Sequence, residues 1–352
     1  MNVTVSGSET LAFKARAYAN ALGTIHYYGE STMLINESDV SVSITIPTAL
    51  WHSVWTAHPR VYRDFAAMAS SSDGTLLVVG TAYSGNPGTI WTSTDTGVTW
   101  VQRTSSGQHL WSALASSSNG MKLAATTFTN AGGDYIHTST DGGITWTAQT
   151  AAGQREWKGI ASSADGTKLA AIPQLGYIWT SADSGLTWNQ TTSPNSYWSS
   201  IASSADGMTL AAVNSGLGYL YLSTDSGENW TYKSGCPHAR TVKCSSDGTK
   251  LFVLGGVEGE IVYRSLDSGA TWTTVLSDRS SFWDAIACSS DGTKIVIYDG
   301  ERGCPYISTD SGVTWILSTG FQRKYMYSLA SSADGKKLIS GGYGGYLYTS
   351  IQ

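Results

Sequence analysis

Six times the chain spells nearly the same octapeptide, Ser-x-Asp-x-Gly-x-Thr-Trp, as in Ser93-Thr94-Asp95-Thr96-Gly97-Val98-Thr99-Trp100. The other copies occupy residues 139–146, 181–188, 223–230, 265–272 and 308–315. Their tryptophans recur every ~42 to 46 residues, a period that belongs to propellers and solenoids. A repeat of that length is one supersecondary unit that cannot bury its apolar face alone, so the number of units sets the architecture.

A second motif alternates with the first. Ser72-Asp73-Gly74, Ser118-Asn119-Gly120, Ala164-Asp165-Gly166 and Ala205-Asp206-Gly207 are followed by Asp247-Gly248, Asp291-Gly292 and Asp334-Gly335, seven copies in all. Asp-Gly or Asn-Gly between apolar runs marks a hairpin, because primed turns need residues that tolerate positive φ. Each unit then reads as four short strands, at 157–162, 168–172, 177–181 and 186–190 in the third, and four strands per repeat make a propeller blade. Seven turns against six octapeptides leaves one fourth strand missing, since the last unit stops at Gln352. Val54-Trp55-Thr56 supplies it: Trp55 precedes Trp100 by one repeat length. The expectation is an all-β fold: a seven-bladed β-propeller of four-stranded blades, spanning residues 51–352 and closed by an N-terminal strand in its last blade.

The octapeptide resembles the Asp-box, or BNR, repeat of sialidases, sortilin-like receptors and several glycoside hydrolases, over residues 51–352. The resemblance implies that each box is the hairpin between the third and fourth strands of a blade. The chemistry agrees: Asp141 can accept hydrogen bonds from its own turn, Gly143 supplies backbone freedom and Trp146 carries a large apolar surface. The copy at 223–230 departs, with Glu228-Asn229, and the seventh has lost its acidic residue. Boxes that repeat around a ring read as scaffold, since functional sites should differ from blade to blade. Sialidases clamp substrate with three arginines, the first in an Arg-Ile-Pro motif. Here the corresponding region reads His58-Pro59-Arg60-Val61-Tyr62-Arg63-Asp64. Sialidase rings have six blades, the xyloglucan-degrading hydrolases pair two seven-bladed rings, and the photosystem II assembly factors, also single seven-bladed rings, are expected to show a basic patch. No enzymatic residue set carries over.

Composition bounds the rest. Only 13% of residues are charged and the net charge is −5 without a basic run, so a nucleic-acid partner is not expected. No apolar stretch approaches a membrane-spanning length, so no membrane span is expected. A surface of short polar side chains suits an extracellular, cell-surface or virion location. Met1-Asn2-Val3-Thr4-Val5 does not read as a signal peptide, so either a leader has been removed or export takes another route, as in a phage structural protein. With no Cys-x-x-Cys or His-x-x-x-His pair, neither a metal site nor a cofactor is expected. Cys244 and Cys288 replace serine on adjacent inner strands and read as buried thiols, while Cys236 and Cys304 precede proline in loops. Residues 1–50 lie outside the repeat and read as a cap or attachment segment, through which a protein partner could bind. Within them, residues 11–22 are alanine-rich enough for a short helix, and residues 40–46 alternate as a strand.

Boxes and Asp-Gly turns fall on one face of the disc, so the irregular loops crowd onto the other, where function should collect. An aromatic column marks the start of the inner strands: Phe65, Trp111, Trp157, Trp198 and Trp283, with Ala239 and Met326 completing it. These rings either pack between blades or line the mouth and stack on sugar faces. Arg63, Arg155 and His109 lie beside them as polar partners, and Asp134 and Tyr343 sit on the other set of loops of that face. The leading expectation is a non-enzymatic, lectin-like module binding a glycan or glycoconjugate. The alternatives are a glycoside hydrolase or lyase using Asp64, Glu156 or Asp284, and a protein-interaction scaffold or virion subunit.

Overall fold

The computed structural model describes residues 55–58, 65–83, 86–129, 132–235, 238–256, 260–278, 283–318, 326–342 and 347–351, together with the backbone of six strands within residues 2–43. Those six strands pair only with one another, as three nested antiparallel pairs: Asn2–Val5 with Val40–Ser43, Thr10–Ala12 with Thr32–Leu34, and Arg16–Ala19 with Gly23–His26. Of the span expected to be helical, residues 11–12 and 16–19 are strand, and the rest lie outside the described residues; alanine content alone did not outweigh the antiparallel pairing there.

The ring consists of seven antiparallel sheets. Blade 2 is typical, with Trp111–Ser116, Leu123–Thr127, Ile136–Ser139 and Thr147–Gln149 running from the axis outward. In blade 3 the third and fourth strands, Trp179–Ser181 and Asn189–Gln190, start later than the sequence pattern predicts, the fourth because residues 182–188 are spent in the octapeptide turn. In blade 7, Ser328–Ser331, Lys337–Gly341 and Leu347–Ile351 are completed by Thr56–His58 from the other end of the chain. That closing strand lies two residues beyond the expected 54–56. Trp55 precedes it as Trp100 precedes Val101–Arg103, so the tryptophan ends the turn and the strand begins after it.

Two features show that the ring closes at seven. The turns after the inner strands form a cycle of backbone hydrogen bonds around the axis. Ser72 N–H donates to Ser118, Ser118 to Ala164, Ala164 to Ala205, Ala205 to Ser246, Ser246 to Ser290, Ser290 to Ala333 and Ala333 back to Ser72, each at 2.6–2.7 Å. Between the blades lie seven apolar clusters, and each holds one member of the expected column and one repeat tryptophan. Trp111 and Trp146 share the blade 1–2 interface, Trp157 and Trp188 the next, and Trp55 joins Met326 between blades 6 and 7. Trp55 is thus the seventh repeat tryptophan. Fully burying such a ring is worth on the order of 2–3 kcal/mol, so the interfaces carry much of the fold's stability.

Cys244 and Cys288 line the small axial channel, of about 220 Å³, at positions where other blades place Ser70, Ser116, Ser162, Ser203 and Ser331. Part of each side chain faces the lumen, but the thiols lie deep enough for burial to push them up to about 12 and about 11. Cys244, Cys288 and Cys304 are free, and Cys236 lies outside the described residues. Among the described residues, no helix is long and apolar enough to cross a membrane.

Candidate functional site

The face bearing the repeated turns is occupied with holding itself together. In each octapeptide the serine hydroxyl donates to the aspartate and accepts from the glycine N–H, while the aspartate accepts from the residue just before the tryptophan. For 139–146 the distances are 2.8 Å for Ser139 Oγ to Asp141 Oδ1, 2.9 Å for Gly143 N to Ser139 Oγ and 2.6 Å for Thr145 Oγ1 to Asp141 Oδ2. In the divergent copy Asn229 does what threonine does elsewhere, donating from its N–H and its amide to Asp225. The Asp-Gly turns are equally self-contained, as where Asp165 accepts from Ser163 and Thr167. A groove of about 510 Å³ on this side, lined by Asn189, Gln190, Ser226 and Glu228, is a seam between blades 3 and 4 whose walls are these turns.

On the other face the aromatic column is not where a ligand could reach it. Phe65, Trp111, Trp157, Trp198 and Trp283 are 0–4% exposed, so the sugar-stacking role expected of them is corrected to packing. A register shift recurs at the column residue in blades 1 to 6, between Trp111 and Ala113 for example. A bulge at the start of a strand re-aims a side chain, and here the ring ends up in the inter-blade core.

Of the other expected residues, Arg63, Asp64 and Tyr343 lie outside the described residues, as does the side chain of Asp284. Glu156 is half-buried, and its Oε2 has no hydrogen-bond partner. Arg155 lays its guanidinium over the Trp179 ring at 4.4 Å and donates from Nε to Ala152 O. It is a packing cation in blade 3, and a cation over a half-buried indole is stabilising.

Two clusters that the sequence pattern did not assemble come together on this face. In blade 2, His109 Nδ1 lies 2.6 Å from Asp134 Oδ2, and His137 Nε2 lies 3.9 Å from the same oxygen. The two imidazoles stand 4.5 Å apart and both meet Trp111 edge-on. Backbone pairing fixes all three: His109 exchanges hydrogen bonds with Gly88, Asp134 does so with Arg155, and His137 sits inside the strand Ile136–Ser139. Burial, reinforced by nearby His109, pushes His137 down to about 4. Burial also works to raise the Asp134 carboxyl, but the Tyr135 N–H and the two imidazoles outweigh it and hold it below the usual range.

In blades 3 and 4, six large apolar or aromatic side chains remain open to solvent: Leu175, Tyr177, Tyr197, Leu217, Tyr219 and Tyr232, each 37–59% exposed. Tyr219 and Tyr232 meet at 4.9 Å and Tyr232 and Tyr221 at 5.9 Å. Asn214 ties the cluster together, donating from Nδ2 to Ser196 Oγ and accepting the Leu217 and Tyr219 N–H groups on Oδ1. Leu175-Gly176 leaves blade 3 to pair with Ser196-Tyr197, so the two blades share this surface.

No protein-family model matches the chain, and no curated protein matches it in sequence. Solved structures do. The chain is similar to YCF48 bound to D1 peptide, at 16% identity and TM-score 0.64 over 85% of this chain and 97% of that one. It is similar to the GH74 xyloglucanase of Xanthomonas campestris, at 15% identity and TM-score 0.66, covering 85% of this chain but 54% of the enzyme. It is also similar to a chain of Kuenenia stuttgartiensis hydrazine synthase, at 13% identity and TM-score 0.65 over 83% and 96% of the two chains. At these identities the likeness is one of fold.

Proposed function

We propose that this protein is a non-enzymatic recognition module that binds a glycan at the tyrosine cluster of blades 3 and 4. The observation that carries this reading is the exposure of Tyr177, Tyr197, Tyr219 and Tyr232 beside Leu175 and Leu217, while the blade interfaces bury their aromatic rings. Half-exposed phenol rings flanked by Ser196 and Ser215 combine flat apolar faces with hydrogen-bonding edges, as sugar recognition requires. Large exposed apolar side chains gathered in one place mark an interaction site. Residues 1–50, whose strands pair among themselves, serve as the attachment piece to a protein partner.

The test is a broad glycan array with the folded wild-type chain, followed by titration of the best ligand against Tyr197→Ala and Tyr232→Ala. Each variant should weaken binding about 10-fold, the loss of one aromatic contact of 1–1.5 kcal/mol. A folded chain that binds no glycan, or variants that bind like wild type, would overturn the reading.

A further inference from the structure

The repeat itself shows that blade 2 is chemically different. Two residues before each octapeptide serine, on the third strand, the other blades place an aromatic ring: Trp91, Trp179, Tyr221, Tyr263 and Tyr306, with Tyr348 in blade 7. Blade 2 has His137 there. Three residues earlier the repeat has glycine in five blades, at 88, 176, 218, 303 and 345, and blade 2 has Asp134. Where blade 3 sets the Arg155 cation over Trp179, blade 2 sets His109 beside His137. Two departures from the repeat therefore meet a third metal-ligating side chain in one place. One ligand atom from each of His109, Asp134 and His137 lies within 4.8 Å of the other two.

A packing explanation leaves one atom unexplained. His137 is 6% exposed, and its Nε2 is buried with no hydrogen-bond partner. Leaving such a group unsatisfied costs about 1–3 kcal/mol; Trp91 Nε1 at the equivalent place in blade 1 is likewise buried without a partner, but only in blade 2 does the orphaned nitrogen lie beside a second imidazole and a carboxylate. Asp134 is oriented by the Tyr135 N–H on Oδ1 at 2.7 Å, which leaves Oδ2 turned toward both imidazoles.

We propose that His109, Asp134 and His137 form a binding site for a divalent transition-metal ion, zinc foremost. Two imidazole nitrogens and one carboxylate oxygen are a borderline-soft donor set of the kind zinc takes, and three protein ligands leave one position for water or a ligand oxygen. With zinc–ligand bonds near 2.0–2.1 Å, tetrahedral neighbours stand about 3.3 Å apart. Seating the ion thus opens the His109–Asp134 contact by ~0.7 Å and closes the His137–Asp134 one by ~0.6 Å. Side-chain torsions absorb both shifts, since the backbone of all three residues is pinned. The site is in blade 2 and does not depend on glycan binding at blades 3 and 4.

The experiment uses the full chain, stripped with chelator, titrated with zinc by calorimetry and with cobalt by visible absorption. Wild type should bind one equivalent, with the intense d–d bands of four- or five-coordinate cobalt. His109→Gln, at a partly exposed position, should weaken binding by about 100-fold or more, as should Asp134→Asn. X-ray absorption of the zinc-loaded wild type should show two imidazoles and oxygen, which guards against variants that fail to fold. No stoichiometric binding, undiminished binding by a folded His109→Gln, or a zinc shell without two imidazoles would overturn the proposal.

Discussion

Removing the closing strand should cost the ring far more than removing everything before it. Deletion of residues 1–50 takes away strands that pair only among themselves, so the thermal midpoint should stay within a degree or two of wild type. Deletion of residues 1–58 also removes the pairs Thr56↔Thr349, Ala57↔Tyr348 and His58↔Leu347, the His58–Thr349 side-chain contact at 2.8 Å, and Trp55 from the blade 6–7 cluster. About three backbone or side-chain hydrogen bonds at ~1 kcal/mol each come to about 3 kcal/mol. A half-buried indole adds about 2 kcal/mol. The sum, about 5 kcal/mol, corresponds to roughly 10 °C at about 2 °C per kcal/mol for a chain of this size. The deletion also bares the edge of Leu347–Ile351, so aggregation on heating should rise. Calorimetry of the two truncations, with light scattering, makes the comparison, and a peptide spanning residues 51–60 added in trans should restore part of the midpoint. Equal midpoints for the two truncations would refute the reasoning, because the ring would then not need its borrowed strand.

Three further outcomes follow from the same contacts. Thr96 holds φ 60° where the 139–146 copy has Gly142 at φ 70°, so Thr96→Gly should stabilise by about 0.5 kcal/mol in urea unfolding, the ~1–2 kcal/mol of left-handed strain less the added chain entropy; a destabilised variant would deny the strain. Trp198→Ala should cost about 3–5 kcal/mol yet leave glycan affinity unchanged below its midpoint, whereas its neighbour Tyr197→Ala should do the reverse. Hydrogen bonds from Ser71 and Thr75, and from Ser163 and Thr167, hold Asp73 and Asp165 down to about 2. The unfolded chain therefore binds protons first: this stability is full above pH ~3.8 and is lost as pH falls from there toward ~2. Asp165→Asn should accordingly give a shallower acid limb in circular dichroism.

The ring was legible because its determinants recur. Asp-Gly or Asn-Gly turns and column residues each appear once per blade and octapeptides in six of the seven, so register could be read by counting, and even the borrowed strand was found from the position of Trp55. The two-residue offset of that strand arose because the tryptophan belongs to the turn. The site was not legible for the opposite reason. Column residues stood out because they repeat, yet what repeats is what packs, and Trp111, Trp157 and Trp198 proved to be core. The tyrosine cluster gives no period: Leu175-Gly176 leaves blade 3 to pair with Ser196-Tyr197, a connection between blades that hydrophobic pattern does not encode.

The same logic indicates where specificity can reside on such a ring. A residue present in every blade is constrained by the interface it fills, so changing it costs stability in the same way everywhere. A residue that breaks the repeat is not explained by that shared duty. Glycine at position 88 shows the constraint, since a Cβ there would meet the Thr81 carbonyl oxygen at 2.0 Å. At the equivalent place in blade 2 the chain carries Asp134, so the backbone there has made room for a charged side chain. Room made for a carboxylate that faces two imidazoles, one of them standing where the other blades carry an aromatic ring, is not explained by closing the disc. Asp134→Gly together with His137→Tyr would return blade 2 to the pattern of its neighbours. If packing is all these residues do, that double variant should be more stable than wild type under metal-free conditions and identical to it with zinc present; if they hold an ion, zinc should raise the wild-type midpoint and leave the double variant where it was.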